Sequence, residues 1–91
     1  NGAVRQRVMS TAGAIGYVGL AFTEGVKTPT VNGVEAAPET VLSKEYPIAR
    51  PLYMYTNGRP KAGTPLADFI GLAATAEGRQ IIEDTGFVPM P

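Results

Sequence analysis

The chain has 91 residues, 44% of them apolar, with eight basic and eight acidic side chains and no cysteine or histidine. Zero formal net charge gives no basic field for gathering polyanions, so nucleic acid is not an expected partner. Without thiols or imidazoles, a disulfide framework and Cys/His metal sites are excluded.

That length suits one small domain or a piece of a larger one. A chain of this size is expected to bury about 60–65% of the surface its unfolded form exposes, leaving marginal stability unless something else covers it. No stretch approaches the roughly 20 apolar residues of a membrane span. The opening run Asn1–Arg7 does not resemble a signal peptide and carries no initiator Met, so a natural start elsewhere is expected. A cysteine-free composition fits either redox compartment.

In chain order, Val4 and Val8 stand one helical turn apart and predict the end of a helix over Asn1–Thr11, broken by Thr11-Ala12-Gly13. Ala14–Phe22 is apolar on both alternating faces, as expected of a strand covered on both sides. Gly16, Gly19 and Ala21 leave room there for close backbone approach. Val31-Asn32-Gly33-Val34 predicts a two-residue hairpin turn, and Pro29 just before it places that hairpin at an edge. Pro38 opens a short helix that Ser43-Lys44-Glu45 ends.

Arg50–Thr56 reads as a strand with Leu52 and Met54 on one face and Tyr53 and Tyr55 on the other, closed by Asn57-Gly58. Thr64 is an N-cap with Pro65 at the first helical position. Leu66, Phe69, Ile70 and Ala73 then form an apolar stripe. Thr75 caps a second helix with Glu77 in its first turn. Ile81 and Ile82 are expected to be its buried residues, and Gly86 its left-handed C-cap. The apolar tail Phe87–Pro91 is expected to dock. The order of elements predicts an α/β unit of short strands with a hairpin and two C-terminal helices.

The residues offer little chemistry. No histidine or cysteine can serve as base or nucleophile. Adjacent carboxylates Glu83 and Asp84 point about 100° apart on a helix and make a solvated face rather than an acid–base pair. Gly13 and Gly16 precede or lie inside a predicted strand, the wrong order for a phosphate-cradling loop. Arg5 and Arg50 are the cations to examine for anion binding, each more commonly a surface or structural arginine. Tyr17, Tyr53 and Tyr55 could line a cleft, though half-core packing is the commoner use of such spacing. The hydroxyls of Ser10 and Thr11 fit turn chemistry. No catalytic, cofactor-binding or metal residue is predicted.

Ordered motifs carry more. Ser10-Thr11-Ala12-Gly13-Ala14-Ile15-Gly16-Tyr17-Val18-Gly19 resembles the stretch of phosphate-binding proteins in which a helix leads through Thr-Pro-Gly into Ala-Ile-Gly-Tyr, with Ala12 in the Pro position. Val31-Asn32-Gly33-Val34 is similar to the following hairpin of that family. Tyr46-Pro47-Ile48-Ala49-Arg50-Pro51-Leu52-Tyr53 is similar to its Tyr-Pro-Leu-Ser-Arg-Pro-Leu-Tyr strand. Glu77–Ile82 with Gly86-Phe87-Val88-Pro89-Met90 resembles its closing helix and Gly-Tyr-Val-Pro-Leu end.

These stretches occur in family order and cover nearly the whole chain. The resemblance is to the C-terminal part of phosphate-binding proteins of the type II periplasmic-binding-protein class. It implies a partial two-lobed α/β fold, with residues 1–46 ending the second lobe. Residues 47–91 would supply a crossover strand and the C-terminal helices of the first lobe. It implies a part of a receptor that binds inorganic phosphate and delivers it to the membrane subunits of an ABC transporter, without chemistry, in the periplasm or outside the cell.

The family's ligand groups are a Ser-Gly-Thr helix N-terminus with a nearby Arg, early-chain hydroxyls and an Asp. All lie upstream of the matched region, so no ligand residue is assigned here. Phosphate binding is expected to need residues outside this chain, from a missing N-terminal segment or an identical chain. The alternative expectation is a structural or oligomerising module that has lost ligand binding. An enzyme is not expected.

Overall fold

The computed structural model describes all 91 residues, Asn1–Pro91. It is mostly helix and loop, with four α-helices: α1 (Gly2–Ser10), α2 (Pro38–Leu42), α3 (Pro65–Gly71) and α4 (Ala76–Asp84). Two 3-10 turns, Leu20–Phe22 and Leu72–Ala74, complete the regular structure. The bridge Val31–Val34 is the only β pairing.

Helix starts and stops follow local chemistry. In α3, Pro65 sits in the first turn and the Thr64 hydroxyl accepts from the Ala67 N–H at 3.3 Å, satisfying one of the donors that every helix start leaves free. In α4, the Thr75 hydroxyl accepts from the Gly78 N–H at 3.0 Å. The same hydroxyl donates to the Leu72 carbonyl at 2.7 Å and so fastens the preceding turn. At the other end of α4, Gly86 takes a left-handed φ of 82°. The Gly86 N–H donates to the Glu83 carbonyl at 2.9 Å and the Phe87 N–H to the Ile82 carbonyl at 3.0 Å. That pair of bonds is a Schellman ending.

The hairpin turn also forms as its residues require. Asn32 (φ 51°) and Gly33 (φ 78°) are both left-handed, as a type I′ turn demands. Val31 and Val34 exchange both N–H···O bonds, at 2.9 and 3.0 Å.

The two predicted strands take a different form. Residues 14–19 and 50–56 carry no strand, and Leu20–Phe22 winds into a 3-10 turn. Backbone groups of Ile15–Val18 and Arg50–Tyr55 enter no backbone hydrogen bond. A strand is defined by its ladder, and within these residues each run finds a helix beside it instead of another strand. Residues 14–19 pass along α1, where a Cβ at Gly16 would stand 2.8 Å from Val4 Cγ1 and 3.3 Å from Val8 Cγ2. The Asn1 side chain fixes the far end of that run, Oδ1 accepting from the Gly19 N–H at 2.9 Å. The absence of Cβ at Gly16 is therefore a packing requirement, as expected.

Burial departs furthest from expectation. Only Gly78 is buried, and there is no hydrophobic core. Ile81 is 49% exposed and Ile82 half-buried, correcting the expectation that both are inside. The α3 stripe is uncovered too, with Phe69 70% exposed.

The chain exposes 7558 Å², whereas a compact protein of 9.5 kDa exposes about 5,000 Å². Its Cα radius of gyration is 16.5 Å against about 12 Å for a compact domain of this length. If half of the excess surface is apolar, about 30 kcal/mol of gross hydrophobic stabilisation is forgone at 25 cal/mol per Å², several times the net stability of a small domain. A sequence with 44% apolar residues and no covered core exposes apolar surface of the extent that interaction sites carry.

Two outcomes follow for the 91-residue chain alone. Size-exclusion light scattering will show concentration-dependent association, and a well-folded monomer at low concentration would contradict an interaction role for that surface. The α3–α4 corner depends on Gly78, whose added Cβ would lie 1.8 Å from the Leu72 carbonyl oxygen. Gly78→Ala will therefore cost more helical signal in far-ultraviolet circular dichroism than Thr75→Ala, whose lost cap is worth about 1 kcal/mol. Equal losses would show that the close approach is not required.

Candidate functional site

An open groove of about 630 Å³ lies where α4 and the tail after it face the Leu20–Phe22 turn and α2. Its floor is set by one close approach: a Cβ on Gly86 would sit 2.3 Å from the Ala21 Cβ, so the left-handed glycine that ends α4 is also the point where the 3-10 turn meets it. Leu20, Leu42, Phe87 and Val88 contribute apolar surface. The charged members are Arg79 and Glu83, one helical turn apart on the same face of α4. Arg79 Nη1 donates to the Met90 carbonyl oxygen and ties the tail back along the groove. The tail thus docks, as expected, although Met90 remains 69% exposed.

This arrangement is poor at holding an anion. The one cation in the groove donates to a backbone carbonyl, and Glu83 contributes negative charge beside it. An oxyanion site needs several donors converging on one point. What the groove can do is receive apolar side chains. A smaller cleft of about 160 Å³ has the same character, with Met54 against Phe69, Leu72, Ala73, Ile81 and Ile82. Met54 of the second extended run therefore borders the α3–α4 pair. The alternate positions of that run carry Tyr53 and Tyr55, rings 6.3 Å apart and inclined at 48°, both largely in solvent.

The other candidates remain dispersed. Arg5 is half-buried on α1, with its Nε lacking a partner, and Arg50 is exposed in the second run. Neither lines the groove or the cleft. Tyr17 is 89% exposed on the first run, apart in sequence from the tyrosine pair. Ser10 and Thr11 do turn chemistry: the Ser10 hydroxyl donates to the Arg7 carbonyl at 3.3 Å, and the Thr11 carbonyl accepts from the Ala14 N–H at 3.1 Å.

Glu83 and Asp84 make no pair; Glu83 lines the groove, while Asp84 Oδ1 accepts from Gln80 Nε2 at 2.9 Å. No three acidic side chains gather into a metal site. Arg79 is the functional-looking residue that residue-by-residue reading missed. Its signal was the spacing Arg79–Glu83 just ahead of a Gly86 ending that turns the tail back.

Comparison with known proteins gives this geometry a context. Phosphate-binding protein PstS 2 of Streptococcus pneumoniae is 36% identical over 87 residues, 93% of this chain and 29% of that protein. Phosphate-binding protein PstS of Pseudomonas aeruginosa is 34% identical over 97 residues, 97% of this chain and 30% of its own length. The protein of the same name from Borreliella burgdorferi is 30% identical over 93 residues, covering 97% and 33%. No family model and no solved structure matches. The chain thus spans about 30% of the length of these curated relatives. Over most of its own length it is similar to these phosphate-binding proteins, a match consistent with their C-terminal part.

Proposed function

We propose that this chain is the C-terminal part of a substrate-binding protein for inorganic phosphate, contributing scaffold to a two-lobed cleft whose ligand groups lie elsewhere. The observation that carries the proposal is a match running through 93–97% of the chain to proteins named for phosphate binding. In these residues no donors converge on an anion.

The open faces fit such a role. Arg50–Thr56 is apolar on both faces, with Met54 against the α3–α4 pair and the tyrosines free. Its unpaired backbone suits a strand inserted into a mixed α/β sheet with cover on both sides. Residues 14–19 have α1 on one side, while Ile15 (93% exposed) and Tyr17 remain open. In this reading residues 1–46 complete the second lobe, and residues 47–91 cross back to the first, giving a partial type II periplasmic-binding-protein fold. Pro47–Pro51 would lie at the hinge-side crossover, where a few residues absorb the rotation.

The whole receptor would bind and release phosphate without bond-making and hand it to ABC-transporter membrane subunits, in the periplasm or outside the cell. No helix of this chain is long and apolar enough to cross a membrane.

Calorimetry in phosphate-free buffer tests this in two samples. The 91-residue chain alone will give no saturable binding. A chimera in which this chain replaces the matched 87 residues of the pneumococcal relative will bind phosphate with micromolar or tighter affinity, about −8 kcal/mol or better. In that chimera Arg50→Ala will leave the affinity unchanged within twofold. Binding by the short chain alone, or a folded chimera that does not bind, would overturn the proposal.

A further inference from the structure

Three Asn-Gly steps occur in the chain: Asn1-Gly2, Asn32-Gly33 and Asn57-Gly58. We propose that Asn57 is a self-modification site, converting to aspartate and isoaspartate faster than the other two. The reaction is intramolecular. The deprotonated Gly58 backbone nitrogen attacks Asn57 Cγ, an N–Cγ bond forms, the Cγ–Nδ2 bond breaks, and ammonia leaves. Water then opens the resulting cyclic imide at either carbonyl. The product is a side-chain carboxylate, or a backbone rerouted through the side chain with one extra methylene. A following glycine favours the step because it has no Cβ to obstruct ring closure.

The structure separates the three sites. Ring closure needs rotation about the Asn Cα–C bond. At Asn32 that rotation is locked: the residue sits at φ 51° inside a turn closed by two backbone hydrogen bonds between Val31 and Val34. At Asn1 the carboxamide is anchored, Oδ1 accepting from the Gly19 N–H at 2.9 Å, and Gly2 begins α1. Asn57 has neither restraint. It is exposed, lies in a bend outside any helix or bridge, and neither Asn57 nor Gly58 enters a backbone hydrogen bond. A single side-chain bond spans it, from the Thr56 hydroxyl to the Gly58 carbonyl at 2.7 Å, against the two backbone bonds that close the turn at Asn32. Arg59 and Lys61 follow in sequence, and their charge favours loss of the Gly58 amide proton.

The modification would place a negative charge, and in the isoaspartate product an inserted methylene as well, directly after the Arg50–Thr56 run. There it would change the register with which that run could pair.

Peptide mapping by tandem mass spectrometry, after timed incubation at mildly alkaline pH, reads each site as a gain of one nominal mass unit. In native buffer Asn57 will convert several-fold faster than Asn32 and Asn1. In urea the gap between Asn57 and Asn32 will shrink to the smaller difference set by Arg59 and Lys61, because the Asn-Gly step is the same. In Val34→Pro, which removes the Val34 N–H donor, the Asn32 rate will rise towards that of Asn57. Equal native rates at Asn57 and Asn32, or an Asn32 rate unaffected by Val34→Pro, would overturn the assignment.

Discussion

Backbone groups that pair with nothing in the chain set the terms for the rest of this structure. Ile15–Val18 and Arg50–Tyr55 are extended, carry apolar side chains on alternate positions, and form no ladder. In water such groups are solvated; covered by apolar surface, each would need a partner or would cost on the order of a hydrogen bond. The same residues therefore pull in two directions. Their side chains favour burial, and their backbones permit it only beside another strand. Lack of a core, excess exposed area and an expanded radius all follow from leaving that demand unmet.

Local and non-local information divide sharply here. Helix caps at Thr64 and Thr75, the Gly86 ending and the Asn32-Gly33 turn were legible in the sequence because each is fixed by two to six neighbouring residues. Gly16 was legible as a close approach, though its partner proved to be Val4 and Val8 on α1. The strands expected at Ala14–Phe22 and Arg50–Thr56 do not form in this chain: spacing marks an extended apolar run, but a ladder partner is a distant residue that local spacing cannot supply. Ile81 and Ile82 illustrate the same limit: periodicity identifies an apolar face but says nothing about whether anything lies over it.

The site followed that division. Residue inventory and resemblance alike named no ligand residue, and the one cation of the groove, Arg79, donates to the Met90 carbonyl. The apolar groove was not legible, because it forms only when Gly86 meets Ala21 and Arg79 reaches back to the Met90 carbonyl. Both contacts join segments that sequence patterning treats separately. Together they form an apolar groove open to solvent.

Amide hydrogen exchange at Ile15–Val18 and Leu52–Tyr55 tests this account most directly, comparing a monomeric sample of the 91-residue chain with the chimera that supplies the remaining two-thirds of a relative. Unmet ladder partners predict exchange near the unfolded rate in the short chain and strong protection in the chimera. Protection already present in the short monomer, or none in the folded chimera, would contradict it.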